Sequence, residues 1–487
     1  MASTMTQNVD GERRMLIDGK LVEAGSGRRF PNIDPATEEV LGYTADGTAE
    51  DTDAAIAAAR RAFDETDWST NHAFRRHCLE QLTEAVTAAM EDIRRIDVAE
   101  IGFPVSSLKM TIDPNLPRFG EMAALAGSYD YEQPLPDGAG ILQREAVGVV
   151  AAVLTWNCGF MLWSTKVLPA LAAGNTVVVR PAPETPWGST FIGRLIAERT
   201  DIPAGVVNIV TSSDPAVAVQ LTQDARVDMV SFTGSTAVGR QIMAQASGTI
   251  KKVLLELGGK SANIVLDDGD LRSAVSMSVG LSCAVSGEAC GMLSRLLLPR
   301  SRYEEGIELA AGMIGAVEPG DPWDPATVQG PQITAAHRDR VLGLIERAKE
   351  EGARLVVGGG AADLERGFYV RQTLFADVDP DSTIAQQEVF GPVLVVIPYE
   401  DDDDAVRIAN NSIFGLFGAV FSADEDRALS VARRMRTGSV MVNGASVFGH
   451  APFGGYKQSG LGREVGTWGF EEFLEMKGIG IPSAATK

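Results

Sequence analysis

Three short segments carry side chains able to do covalent chemistry. Cys290 stands in Gly287-Glu-Ala-Cys-Gly-Met-Leu-Ser-Arg295, after small residues and before the apolar run RLLLP. A thiol there is a candidate nucleophile, and a lone cysteine also fits an inert packing role. Glu256, 34 positions earlier, closes the apolar strand KKVLLEL just before two glycines. A carboxylate so placed is open to desolvation, which raises its pKa toward the range of a general base; it equally fits a strand-edge glutamate before a turn. Gly234-Ser-Thr-Ala-Val-Gly239 lies where a strand gives way to a helix. Its N–H groups and helix N-terminus suit a pyrophosphate, yet such a glycine turn also occurs with no ligand.

The elements that position these segments are bounded by the whole composition. A chain of 487 residues implies roughly three domains or two large ones. At 45% hydrophobic and 22% charged it is globular, and its 51 glycines point to tight turns. The net charge of −22 repels phosphate backbones and anionic lipid, and no basic patch offsets it, so neither nucleic acid nor a membrane is an expected partner. The expected partner is a small molecule or another protein. Cys78, Cys158, Cys283 and Cys290 are too few and too irregular for a disulfide framework. His72, His77, His337 and His450 lack the spacing of metal ligands, so no metal site is expected. MASTMTQNVDGERRM has no apolar core of signal length, and the longest apolar run, AVGVVAAVL at 146 to 154, is far short of a spanning helix. These readings predict a soluble cytoplasmic protein.

The opening stretch predicts short strands in MLIDGKLVEAG and RRFPNIDP, then a helix capped by Thr48 with acidic Glu50 and Asp51 in its first turn. From residue 148 strands and helices alternate: GVVAAVL, a helix to Ala173, NTVVVRP, GSTFIGRLIAER, VVNIVT, VDMVSFTG, STAVGRQIMAQA and KKVLLEL. Strands rich in valine and isoleucine alternating with helices predict βαβ units and a doubly wound parallel sheet. A second alternating series begins at SANIVLDD and runs through RLLLP, VLGLIERAKEEG, ARLVVGG, PVLVVIPYE and GAVFSAD, predicting a second α/β domain. The acidic run Glu400 to Asp404 reads as the favourable start of a helix rather than as a cation site.

Taken together, the motifs resemble the aldehyde dehydrogenase superfamily. Trp156-Asn157, Lys166, PALAAGNTVVVRP, Thr185-Pro186, FTGSTAVG, LELGGK, GEACGMLSR, QEVFGPV and APFGGYKQSGLGRE occur in that family's order, from about residue 15 to the end. Cys290 lies 34 positions after Glu256 and 98 before Glu388, separations of the kind the family shows. The resemblance implies oxidation of an aldehyde to a carboxylic acid with NAD or NADP, NAD being the first expectation. Cys290 matches the nucleophile, Asn157 and the Cys290 N–H the oxyanion donors, and Glu256 the base that activates water. Lys166 and Glu464 match a proton path behind that base. The cofactor would be held by Thr155, Trp156, Arg180, Pro183, Gly234, Ser235, Gly239, Leu257, Glu388 and Phe390. Presence of Glu256 favours hydrolysis over the acyl-CoA-forming branch.

Several positions depart from the pattern. Thr155 stands for a proline, Glu288 for a glutamine, Val285 for an asparagine and Arg180 for a lysine; Pro183 occupies an acidic position, with Glu184 one residue on. Cys158, Thr165 and Ala284 match positions that elsewhere carry rings, so the passage is expected to accept a bulky apolar aldehyde. Met161, Trp163, Phe448 and Phe453 would keep its lining apolar, with His450 near the mouth. The expected architecture is α/β: a Rossmann-like cofactor domain (1–123 and 147–258), a second α/β catalytic domain (259–465) and a small β oligomerisation arm (124–146 and 466–487). The resemblance also implies a homodimer or homotetramer. The rival reading is a catalytically weak structural or binding paralogue.

Overall fold

Five strands rich in β-branched residues form the parallel centre of an eight-stranded sheet in the computed structural model, which describes residues 9–482. Most of the N-terminal stretch read for a targeting signal, and the last five residues of the arm, lie outside the described residues. In spatial order the five strands are Lys252–Glu256, Met229–Thr233, Val149–Val153, Thr176–Arg180 and Val207–Ile209. Val149–Val153 and Thr176–Arg180 are buried at every residue, as a sheet covered on both faces requires. Chain order reverses between Val149–Val153 and Met229–Thr233. A crevice therefore opens past their carboxyl ends, where Leu154 to Asn157 and Gly234-Ser235 emerge, and doubly wound sheets take ligands at such a switch point.

The two edges are antiparallel. Met15–Ile17 and Lys20–Val22 extend one, and Gly460–Leu461 closes the other against Leu255 and Glu256. That last strand comes from the stretch read as belonging to the second domain, and it joins the first sheet instead. Its long separation from Glu256 leaves no local signal in the sequence.

A seven-stranded sheet follows the order Arg354–Val357, Thr373–Ala376, Val393–Tyr399, Arg295–Pro299, Ala262–Val265, Phe417–Phe421, Ser439–Val442. All neighbours are parallel except the first pair. Gly140–Ala146 pairs antiparallel with both Glu132–Pro134 and Leu474–Gly480 in a separate three-stranded sheet. Local signals act as read: Thr48 and Asp51 form a reciprocal capping box on Ala49–Glu65, and Asp401 caps Asp402–Asn410 by accepting the Asp404 N–H at 2.9 Å. Among the described residues no helix is long and apolar enough to cross a membrane.

Candidate active site

The segment before Cys290 is held in an unusual backbone shape. Val285, Ser286 and Gly287 all have positive φ, at 44°, 57° and 76°. For a β-branched valine this is costly, and it persists because the surroundings fix it. Gln332 Nε2 donates to the Ser286 carbonyl at 2.8 Å, and the Ile333 N–H donates to Glu288 Oε1 at 3.0 Å. A Cβ on Gly287 would lie 2.2 Å from the Gly391 carbonyl carbon, so glycine alone permits this approach. Asn157 Nδ2 donates to the Glu288 carbonyl at 2.7 Å. That bond fixes the Asn157 amide beside the nucleophile segment, and among the described residues its Nδ2 donates to no other acceptor. Cys290 is partly buried. Burial, with Cys158, Glu388 and Glu256 nearby, pushes its thiol well above the usual range.

Glu256 ends its strand 3% exposed, and neither carboxylate oxygen has a hydrogen-bond partner. Burial, then Glu464, push its pKa well above the ordinary carboxylate value, while Lys166 and Arg463 oppose this. Lys166 Nζ lies 2.7 Å from Glu464 Oε1 and 3.4 Å from Ser231 Oγ, fully buried. Lys166 lies buried on a π-helical turn, Trp163–Val167, a local underwinding frequent at functional sites.

The residues read as cofactor contacts line the carboxyl end of the first sheet. Arg180 is buried, its Nε has no partner, and Nη2 donates to the Ser212 carbonyl at 3.3 Å. Glu184 lies close enough to Arg180 to perturb it, and burial raises the Glu184 pKa. An acid thus stands near Arg180 although position 183 is a proline. Gly234 does not offer its N–H as expected: it donates to the Glu256 carbonyl at 3.0 Å, because the ladder continues past the strand end. Ser235 caps the helix Thr236–Ala246, its side chain accepting the Val238 N–H. Gly239 packs on buried Leu257. Glu388 Oε1 accepts the Gly259 N–H at 2.9 Å, and a Cβ on Gly258 would sit 2.2 Å from Oε2. Burial pushes Glu388 up to about 7. Thr155 and Trp156 are half-buried, and the Trp156 ring meets Phe390 edge-on at 5.3 Å.

Of the residues read as lining a passage, Cys158, Met161 and Ala284 are partly buried and Thr165 is buried with an unpartnered hydroxyl. Burial, with Asp97 nearby, pushes Cys158 up to about 12. Phe448 is exposed, stacked on Phe417 at 5.2 Å and 5.9 Å from Phe453, and His450 is exposed beside it. Trp163 is a correction. It is 1% exposed and donates its indole N–H to Ser189 Oγ, so it packs in the core instead of presenting a face to solvent.

Sequence reasoning missed His337 and Arg340. On the helix Ala335–Glu350 these stand three residues apart, on one face. Arg340 donates to the carbonyls of Glu388 and Val389 at 2.8 and 2.6 Å, and His337 Nε2 lies 2.6 Å from the Phe390 carbonyl. The i, i+3 spacing was visible, but nothing in it names the loop they hold.

A family model described as the aldehyde dehydrogenase family matches residues 21–479. The chain belongs to the aldehyde dehydrogenase family. As an aldehyde dehydrogenase it is an oxidoreductase acting on the aldehyde group. It is 40% identical to a 3-succinoylsemialdehyde-pyridine dehydrogenase of a Pseudomonas species, over 96% of this chain and 98% of that one. It is 39% identical to the geranial dehydrogenase of Castellaniella defragrans, with the same coverage of both chains. A crystal structure of a cysteine-to-alanine mutant of Pseudomonas syringae aldehyde dehydrogenase C, complexed with NAD+ and octanal, superposes with a TM-score of 0.93 at 37% identity, covering 97% of each chain. This aldehyde dehydrogenase therefore has the family's fold with mixed α/β sheets.

Proposed function

We propose that this aldehyde dehydrogenase oxidises a bulky apolar aldehyde to its carboxylic acid through a covalent adduct on Cys290, with NAD or NADP as oxidant. The observation that carries the reading is one juxtaposition. The Asn157 amide is anchored on the segment that leads to Cys290, and a buried Glu256 with both oxygens unpartnered stands close enough to Cys290 to raise its pKa. Geranial, for which one similar dehydrogenase is named, and octanal, bound in the crystal structure of another, are long and apolar, and the small side chains at Cys158, Thr165 and Ala284 suit substrates of that kind. We assign 1–123 and 147–258 to the cofactor domain, 259–465 to the catalytic domain and 124–146 with 466–487 to an oligomerisation arm of a homodimer or homotetramer, except that Gly460–Leu461 completes the first sheet.

The residues present fit a dinucleotide. Buried Arg180 has a free Nε for a ribose or its phosphate, the N-terminus of Thr236–Ala246 faces the switch-point crevice for a pyrophosphate, and Glu388 would accept from ribose hydroxyls. When bound, the nicotinamide supplies the acceptor for the hydride. Glu184 near Arg180 opposes a 2′-phosphate, which favours NAD. The Cys290 thiol gives its proton to water and its sulfur adds to the carbonyl carbon; the oxyanion so formed accepts from the second N–H of Asn157 and from the Cys290 N–H. After oxidation the acyl group remains on sulfur as a thioester. Glu256, buried and unpartnered, takes a proton from water, which attacks the thioester and releases the acid and the Cys290 thiol. Lys166 and Glu464 set the charge behind that carboxylate.

Incubation of the purified protein with NAD or NADP and a panel of aldehydes tests the reading. Absorbance of reduced nicotinamide should appear with long or ring-bearing aldehydes, with one acid formed per cofactor reduced. No reduction with any member of the panel would refute it.

A further inference from the structure

The cofactor-facing loop and the nucleophile segment are joined by a closed circuit of contacts that runs through His337. Starting at Trp156, the chain passes to Asn157, whose Nδ2 donates to the Glu288 carbonyl at 2.7 Å. The Glu288 carboxylate, 2% exposed, lies 3.5 Å from His337 Nε2. The same Nε2 is 2.6 Å from the Phe390 carbonyl. A carbonyl only accepts, so Nε2 carries the proton. The rings of Phe390 and Trp156 then meet edge-on at 5.3 Å, and His337 stands edge-on to both, 5.4 Å from Trp156 and 6.0 Å from Phe390.

This circuit holds a loop that would not hold itself. Phe390 has φ of 57°, left-handed for a residue with a ring. Its neighbour Gly391 is pressed against Gly287, one residue from Glu288. The three carbonyls from Glu388 to Phe390 all accept from the single helix Ala335–Glu350, two from Arg340 and one from His337.

We propose that His337 is a positioning residue: its Nε2–H fixes the loop that carries Glu388 and Phe390, while its ring packs against the Glu288 carboxylate of the segment leading into Cys290. The inference rests on the reading of Glu388 and Phe390 as cofactor contacts. It assigns His337 no contact with substrate. Its work is to make the cofactor loop and the Asn157 amide keep one relative geometry.

Titration of the full-length protein with NAD+, followed by quenching of its tryptophan fluorescence, tests this alongside steady-state kinetics. His337→Ala should weaken cofactor binding about three- to tenfold, the worth of one hydrogen bond, while the aldehyde KM at saturating NAD+ changes much less. His337→Gln, which keeps an N–H donor, should recover most of the affinity. Glu288→Gln combined with His337→Ala should cost less than the two separate losses together, as contacting residues in one network do. Wild-type affinity in His337→Ala would overturn the role. So would equal losses in Ala and Gln variants accompanied by matching falls in Tm, which indicate packing alone. Failure of the wild-type protein to bind either dinucleotide would sink the cofactor reading itself, whereas wild-type binding with an unaffected His337→Ala sinks only this inference.

Discussion

Lys166 Nζ and Glu464 Oε1 lie 2.7 Å apart, both sealed from solvent, although 298 residues separate them in the chain. The pair sits behind Glu256 and acts on it from both sides: the Glu464 carboxylate disfavours ionisation there and the Lys166 ammonium favours it. Removing one partner would strand a buried charge. Lys166→Met should therefore destabilise the fold by about 3–5 kcal/mol, seen as a lower urea midpoint. Adding Glu464→Gln should restore most of that loss, and a double variant as unstable as the single would count against the pair.

Cys290→Ala should abolish aldehyde oxidation and leave NAD+ binding nearly intact, since only the covalent step needs sulfur. Cys283 is buried with its Sγ 3.3 Å from the Gly280 carbonyl, and neither it nor Cys158 lies on the segment after Glu288 that Asn157 anchors, so neither should take over. Residual turnover in the Cys290→Ala protein, measured with long incubation, would overturn the assignment of the nucleophile.

Glu256→Gln should permit a first turnover and then stall, because an amide cannot take a proton from water. Mass spectrometry should find the acyl group on the peptide containing Cys290. Steady turnover with no adduct is the contrary result.

Much of this is legible in the sequence, and the part that is not has a common cause. Strand and helix periods are local, so the order of the βαβ units, the Thr48 cap and the helix start at Asp401 followed from neighbouring residues. Gly460–Leu461 pairs with Glu256 across about 200 residues of chain, and no local period encodes that. The turn Trp163–Val167 is π-helical and buried at all five residues, and an α-helical period gives no sign of either. Positive φ at Val285 runs against local preference, in a segment whose next residues are held by Gln332, Ile333 and Gly391.

Cofactor binding should strengthen as pH rises through about 7, where Glu388 ionises. Its folded pKa lies above the ordinary 4.5, so stability of the free protein from this group is full below about pH 4 and is lost as pH climbs through 7. Ligand that prefers the carboxylate gains in the same window, by up to about tenfold between roughly pH 6 and 8 if it binds the ionised form alone. Titrations with NAD+ across that range should show the rise in the wild type and a flat profile in Glu388→Gln.

A chain-length and ring series should show kcat/KM increasing from acetaldehyde upward, at roughly 25 cal/mol per Å² of apolar surface buried. Cys158→Phe should reverse the order by returning a ring to the passage. A steady fall of kcat/KM with size in the wild type would dispose of the wide passage and leave the dehydrogenase assignment standing.

The separation of Lys166 from Glu464 also sets a timetable for synthesis. At about 5–20 residues per second, the ribosome takes roughly 15–60 s to deliver the carboxylate after the lysine. Throughout that interval the central strands of the first sheet can pair, yet the edge beside Glu256 stays open and the ammonium has no counter-charge. The nascent chain must keep Lys166 hydrated until the last stretch arrives, so the catalytic carboxylate's surroundings close only when nearly the entire polypeptide has been made.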